Sequence, residues 1–149
     1  MRTPPDVELY NALVWKIVKQ IPEGQVSTYG QIASMIQPGE DLDPETYRRF
    51  SPQWVGAAMN ATPAGQGIPW QRVINSQGKI SLPEGRAAEQ QRELLEAEGV
   101  TFDDKGRVNF EMFGWNGPDA AWLREHDLQP PLPLKKNKPD TDATQLSLF

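Results

Sequence analysis

The chain contains no cysteine, and this absence excludes more functions than any other feature of its composition. Without a thiol there can be no disulfide, no thiolate metal ligand and no cysteine nucleophile. The single histidine, His126, has no partner at metal-ligand spacing, so a zinc site is not expected. The sequence therefore predicts a protein that needs neither a metal nor another cofactor.

Long apolar runs are absent as well. No segment approaches membrane-spanning length, and the first residues lack the apolar core of a signal peptide. With 149 residues, the chain has the length of one domain that can bury a hydrophobic core. We expect a cytoplasmic protein that does not associate with membranes and acts as a monomer.

The charge of the chain is unevenly distributed. The net charge of -5 is unfavourable for binding nucleic acid. However, residues 46–92 carry six basic side chains and only two acidic ones. A basic segment within an acidic protein is compatible with a local phosphate-binding face.

Two helices are predicted in the first part of the chain. Asp6 can cap the first one, whose apolar side chains recur at helical spacing from Tyr10 to Ile21. Thr28 and Gln31 have the spacing of a capping box at the start of the second helix.

A third helix is predicted after a polar, turn-rich loop over residues 37–50. Ser51 is a suitable N-cap, and Pro52 suits the first helical position. Two consecutive short helices joined by a loop suggest a variant of the helix-turn-helix motif.

The sequence pattern in the second half of the chain predicts two β-hairpins, with one helix between them in chain order. The segment WQRVINSQGKIS, residues 70–81, contains two β-prone runs around a turn, and residues 100–110 show the same pattern. Between them, residues 86–98 predict a helix that stops at Gly99. The predicted fold class is mainly α with small β-hairpins, in a winged-helix-like DNA-binding domain.

The composition changes at residue 128. Residues 128–149 have the proline-rich, polar composition that is typical of a disordered tail, so we expect a domain over residues 1–127. The last five residues resemble the peptide with which bacterial proteins bind the sliding clamp: Gln145, Leu146, Ser147, Leu148 and Phe149. An incidental apolar terminus is the alternative, because such short motifs occur often by chance.

Four separated blocks resemble the DNA-binding domain of the O6-alkylguanine-DNA alkyltransferases. In chain order they are IPEGQVSTYGQIA, VGAAMNATP, IPWQRVINSQGKIS and LLEAEGV. In that family the third block reads Pro-Cys-His-Arg-Val, and its cysteine takes the alkyl group from a flipped guanine. Here Trp70 stands in place of the cysteine and Gln71 in place of the histidine.

Tryptophan cannot accept an alkyl group as a thiolate does. Its flat, apolar indole is instead suited to packing against an extruded base. The resemblance therefore implies an alkyltransferase-like protein, a non-enzymatic sensor that binds O6-alkylguanine in duplex DNA by minor-groove docking and nucleotide flipping. Such a sensor would direct the lesion to nucleotide-excision repair proteins. Taken alone, Trp70 could also be an ordinary core residue.

The resemblance assigns further residues to the lesion pocket. Tyr29 matches a tyrosine that crowds the target phosphate, although it could simply pack on its helix face. Val73 matches a position whose backbone carbonyl reads the guanine amino group. Arg72 could contact a base or anchor the wing, and Gln71 completes the pocket. Glu98 matches the glutamate that orients the histidine in the enzymes.

A second group of residues is assigned to DNA contact. The small residues at 56–58 suit a helix that enters the minor groove, but close packing between helices would also require them. Gln53 stands where the family has the arginine that fills the gap left by the flipped base, and Arg48 or Arg49 in the preceding loop could replace it. The predicted DNA-binding residues are Thr28, Arg48, Arg49, Gln53, Trp54, Gly56 and Ala57.

Two other functions compete with the lesion sensor. An alkyltransferase with a different nucleophile is disfavoured, because neither Trp70 nor Gln71 can serve as one. A winged-helix DNA-binding protein without lesion specificity is the main alternative, and Gln53 and the acidic net charge favour it. The resemblance and the clamp motif together predict a bacterial, nucleoid-associated protein.

Overall fold

The computed structural model describes residues 4–134, and most of its regular structure is α-helical. A 3-10 turn at Trp70–Arg72 precedes the second strand. The elements in chain order are α1 (Val7–Val18), β1 (Ser27–Thr28), α2 (Tyr29–Met35), α3 (Pro44–Asn60), β2 (Val73–Ile74), α4 (Arg86–Ala97), α5 (Phe110–Phe113) and α6 (Ala120–Glu125). The mainly α fold class is confirmed. No helix within residues 4–134 is long and apolar enough to cross a membrane.

The first two helices begin where the sequence predicts. Asp6 caps α1, and the Thr28 hydroxyl accepts the Gln31 N–H at 3.0 Å to cap α2. The side chain of Gln31 does not complete the capping box. It accepts the Ser27 hydroxyl at 2.6 Å and donates to the Trp115 carbonyl at 2.8 Å. The buried amide therefore connects α2 to the segment that follows α5.

The third helix begins much earlier than predicted. It starts at Pro44 with Asp43 as its N-cap, so it includes part of the expected loop. Both possible starts carry an N-cap residue followed by proline. The earlier start adds about two turns, and these turns bury Tyr47 against Tyr10. Pro52 consequently lies inside the helix, where it cannot donate to the preceding turn.

Three aromatic side chains join α1 to α3. Trp54 packs edge-to-face against Tyr10 and Tyr47, with ring centroids 5.7 and 5.8 Å apart. The two tyrosine hydroxyls lie 2.9 Å apart, and that of Tyr47 donates to the Ala33 carbonyl at 2.8 Å. Because Trp54 is only 3% exposed, it belongs to the core and its side chain does not form a DNA-contacting surface.

A short pair of parallel strands connects the two halves of the chain. Ser27 pairs with Val73, and Thr28 pairs with Ile74. The alternation of side chains along a strand places Val73 in a larger core with α1, α2 and α3. Ile74 enters a smaller core beside Val26, Leu95, Val100, Val108 and Phe110.

The predicted hairpins are only partly present. Residues 79–81 form no second strand, and the chain after β2 turns back through a hydrogen bond from Asn75 N–H to the Lys79 carbonyl at 2.9 Å. The second hairpin is reduced to one antiparallel bridge between Phe102 and Val108. The winged-helix-like description therefore stays a prediction.

The folded part continues past the expected boundary at residue 127. Residues 128–134, which we call the C-terminal strap, run along α2. Leu128 is 6% exposed, and Gln129 and Leu132 each donate a backbone N–H to α2, at 2.9 and 3.0 Å. The proposed clamp-binding peptide, residues 145–149, lies outside the described residues.

Candidate nucleic-acid interface

The segment that carries Trp70 is held by the carboxylate of Glu98, at the end of α4. This carboxylate accepts hydrogen bonds from Gln71 Nε2 at 2.8 Å, from Arg72 Nε at 2.9 Å and from Gly24 N–H at 2.9 Å. Glu98 therefore binds the residue at the histidine position of the third block. It also connects that block to the loop before β1.

Arg72 is turned inward. Its Nη2 donates to Glu98 at 3.1 Å and its Nη1 donates to the Ile21 carbonyl at 2.8 Å. The side chain of Arg72 is 16% exposed. Of the two roles that the sequence left open, this geometry supports a structural anchor.

The environment of Glu98 keeps its carboxylate ionised. Burial acts to raise the pKa of Glu98, but hydrogen bonds from Arg72, Gly24 and Gln71, together with the charge of Arg72, outweigh it and lower the pKa. A lowered pKa means that the ionised group stabilises the fold at neutral pH. This contribution is lost as the pH falls through the folded-state pKa.

A residue missed by the sequence analysis supports the same segment from α4. Gln91 is 3% exposed, and its Nε2 donates to the carbonyls of Gln71 and Val73, each at 3.0 Å. Gln91, Leu95 and Glu98 recur at helical spacing on one face of α4. A polar residue on a buried face must find partners, and that is the signal that could have identified Gln91.

Trp70 lies at the start of this supported segment. Its side chain is partly exposed and belongs to neither of the two hydrophobic cores that residues 4–134 form. The interpretation of Trp70 as an ordinary core residue therefore has no support in the structure. Part of the surface of Trp70 is therefore accessible.

Tyr29 is placed near this segment by the strand pairing, because it directly follows β1. It is 8% exposed, and its hydroxyl lies 2.8 Å from the hydroxyl of Ser81, a residue that the sequence analysis did not single out. Burial raises the pKa of Tyr29, and the hydrogen bond with Ser81 offsets only part of this shift. The phenol is therefore neutral at physiological pH.

Thr28 and Arg48 line a cavity whose lining does not include Trp70. Thr28 is 5% exposed and uses its hydroxyl to cap α2. Both residues line a cavity of about 530 Å³ between α2, α3, the turn at residues 76–77 and the C-terminal strap. The cavity lining includes neither Trp70 nor Val73.

The outer surface of α3 carries a row of exposed residues. Arg49, Gln53 and Ala57 are spaced four apart, so they share one helix face, and all three are exposed. Gly56 and Ala58 are buried instead, which assigns them to helix packing. Because α3 begins at Pro44, both arginines lie on the helix and not in a loop, and Arg49 shares the face of Gln53.

The described residues contain no group of three or more side chains that could hold a metal ion. The features above define a helical domain with an exposed helix face and a partly exposed tryptophan, which directly precedes the residues that a glutamate binds. Residues 10–100 match the family model described as 6-O-methylguanine DNA methyltransferase, DNA binding domain. The chain belongs to this family. Because it has no cysteine, it is not one of the family's cysteine-dependent transfer enzymes.

Relatives and solved structures agree with this assignment. The chain is 43% identical over 103 residues to a DNA base-flipping protein of Vibrio parahaemolyticus, covering 68% of this chain and 91% of the relative. It is 36% identical over 110 residues to alkyltransferase-like protein 1 of Schizosaccharomyces pombe, covering 73% and 90%. It also resembles the crystal structure of the S. pombe protein in complex with damaged DNA containing O6-carboxymethylguanine, with a TM-score of 0.54 and 34% identity over 72% of this chain and 95% of that one.

Glu98→Gln should lower the free energy of unfolding by about 3 kcal/mol, because it leaves the inward-facing charge of Arg72 without a partner. Urea denaturation of both proteins measures this change. The difference should shrink as the pH falls from the ordinary pKa of glutamate through the lowered folded-state pKa, below which Glu98 itself is protonated.

Glu96→Gln is the matched control. Glu96 lies on the same helix in an exposed ion pair with Arg92 at 3.5 Å, so its loss should cost less than about 1 kcal/mol. Equal losses in the two variants would contradict the anchoring role of Glu98.

Proposed function

We propose that this protein is a non-enzymatic DNA-damage sensor that binds O6-alkylguanine in duplex DNA. The observation that carries the proposal is the position of Trp70. The sequence resemblance aligns Trp70 with the acceptor position of the family. The residue lies outside both cores and is attached to a segment that Glu98 and Gln91 hold in place. Membership of the family, and the likeness to a protein solved with damaged DNA, support it.

The chemistry of the family's enzymes has no counterpart in this site. Transfer requires a nucleophile and a base to activate it. Gln71 donates its amide to Glu98, and an amide nitrogen has no basic lone pair with which to take a proton. A bound lesion would therefore be retained without being repaired.

The pocket residues have complementary roles in this proposal. The nucleotide would rotate out of the duplex, and the indole of Trp70 would pack against the exposed base. Tyr29, a neutral phenol with its hydroxyl held by Ser81, would crowd the phosphate of the rotated nucleotide. The backbone carbonyl of Val73 would accept the amino group of the guanine.

The exposed face of α3 would enter the minor groove. Ala57 presents a small side chain there, and Gln53 would fill the gap that the flipped base leaves behind. Arg49 is one helical turn before Gln53 on the same face, so it supplies the positive charge that glutamine lacks. Arg48, which lines the cavity behind this face, is the weaker candidate.

A sensor that cannot repair the lesion must pass it on. We propose nucleotide-excision repair proteins as the recipients, and a nucleoid-associated location in a bacterial cell. The C-terminal pentapeptide would add a second attachment, to the sliding clamp. Its support is the sequence match alone.

The central prediction concerns Trp70→Ala. The wild-type protein should bind a duplex with O6-methylguanine more tightly than the undamaged duplex, and the variant should lose about 1–3 kcal/mol on the damaged duplex because base stacking is removed. Fluorescence anisotropy with both duplexes measures the preference. Trp70→Phe, which keeps an aromatic face, should retain most of it.

Two outcomes would contradict this function. Equal affinity of the wild-type protein for both duplexes would favour the alternative, a DNA-binding protein without lesion specificity. Transfer of a labelled methyl group from the DNA to the protein would show that the chain is an enzyme after all.

A second prediction tests the exposed face of α3. Gln53→Arg should raise affinity for DNA, since it adds a cation inside the negative groove. Arg49→Gln should weaken binding to damaged and undamaged duplexes alike, and should reduce the dependence of log affinity on log salt by about one unit. Salt titrations of both variants measure these effects. A larger effect from Arg48→Gln than from Arg49→Gln would move the DNA contact to the cavity side.

A third prediction tests the pentapeptide. Deleting residues 145–149 should abolish binding to a bacterial sliding clamp and leave lesion binding unchanged. Leu148→Ala and Phe149→Ala should each cause most of this loss, because apolar anchors dominate such peptide interfaces, whereas Ser147→Ala should cause little. A clamp pull-down that is unaffected by the deletion would exclude this partner for the tail.

A further inference from the structure

Gln91 makes an unusual set of contacts for a residue on a mostly polar helix. It is 3% exposed, and both hydrogens of its amide are used, one on the Gln71 carbonyl and one on the Val73 carbonyl. These two carbonyls flank Arg72 in the chain. A single side chain therefore fixes the direction of two backbone carbonyls in the segment that follows Trp70.

Gln91 and Glu98 divide the support of this segment between them. They lie seven residues apart, two turns along the same face of α4. Glu98 binds the side chains of Gln71 and Arg72, whereas Gln91 binds backbone carbonyls. Glu98 and Arg72 alone would leave the carbonyl of Val73 without this donor.

The bond from Gln91 leaves the Val73 carbonyl able to accept a second hydrogen bond. A carbonyl oxygen has two lone pairs, and Gln91 occupies one of them. A hydrogen bond to one lone pair fixes the direction of the oxygen and leaves the other lone pair free to accept. An apolar side chain at position 91 could not hold the oxygen in place, and a carboxylate would be repelled by both carbonyl oxygens.

We propose that Gln91 is a positioning residue for recognition of the flipped base. It holds the Val73 carbonyl in the direction in which that oxygen accepts the exocyclic amino group of guanine. Gln91 thereby contributes to the choice of base as well as to the stability of the fold. The inference rests on the proposed lesion-binding function.

The test compares three duplexes that differ only at the target base, which is O6-methylguanine, O6-methylhypoxanthine or guanine. O6-methylhypoxanthine carries the same methyl group but lacks the exocyclic amino group. Gln91→Met keeps the length of the side chain and removes its donors. Gln90→Met is the matched control, because Gln90 is the exposed neighbour on the same helix.

The wild-type protein should prefer O6-methylguanine to O6-methylhypoxanthine. Gln91→Met should reduce this preference about 3- to 10-fold, the effect of one hydrogen bond, while Gln90→Met leaves it unchanged. Affinity for O6-methylhypoxanthine should change much less. A loss that is equal on both damaged duplexes would show that Gln91 is only structural, and would overturn the inference.

The experiment distinguishes a failure of the proposed function from a failure of the role of Gln91. If the wild-type protein does not distinguish O6-methylguanine from guanine, both the function and the role of Gln91 are wrong. If it distinguishes them but Gln91→Met keeps the amino-group preference, only the role of Gln91 is wrong.

A measurement on the wild-type protein covers the case in which Gln91→Met does not fold. The side-chain amide signals of Gln91 in a nitrogen-15 spectrum should shift when the O6-methylguanine duplex is added, and shift less with the O6-methylhypoxanthine duplex. Equal shifts with both duplexes would overturn the inference.

Discussion

The hydrogen bonds to the Glu98 carboxylate are the interaction on which the candidate site depends. They join three parts of the chain, namely the loop at Gly24, the segment at residues 71–72 and the end of α4. In the alkyltransferases that the sequence resembles, the matching glutamate orients a histidine. Here the same carboxylate holds an amide and a guanidinium, so its function is to fix geometry. The position of Trp70 follows from this contact, because Trp70 directly precedes the residues that Glu98 binds.

The parts of the fold that the sequence predicted are those with local signals. Asp6 and Thr28 cap helices through bonds within a single turn, and Gly99, with a φ of +97°, ends α4 where expected. The start of α3 was misplaced because two N-cap and proline pairs compete, and burial of Tyr47 by a distant helix favours the earlier one. The partner of β2 could not be predicted either, since a nonlocal strand pair leaves no short-range signal.

The candidate site shows the same difference between local signals, which the sequence carries, and nonlocal packing, which it does not. The positions of Trp70, Gln71 and Glu98 could be assigned because they belong to motifs that are contiguous in the chain. Gln91 could not, because glutamine on a polar helix is usually exposed, and only the packing of α4 against the 3-10 turn shows that it is buried. Trp54 follows the exposed Gln53, but its own side chain is buried against Tyr10 and Tyr47, a nonlocal contact that the sequence does not show.

Replacing histidine by Gln71 has a consequence for the electrostatics of the site. The phenol of Tyr29 has a raised pKa and remains neutral, and Glu98 has a lowered pKa and remains a carboxylate paired with Arg72. An amide neither gains nor loses a net proton near neutral pH. Tyr29, Gln71 and Glu98 therefore each keep one charge state across the physiological range. In a site that transfers protons, by contrast, at least one group must alternate between two protonation states. On the proposed function, these three groups would present a constant potential to a bound base, so their charges would give recognition at Trp70 no pH dependence in that range.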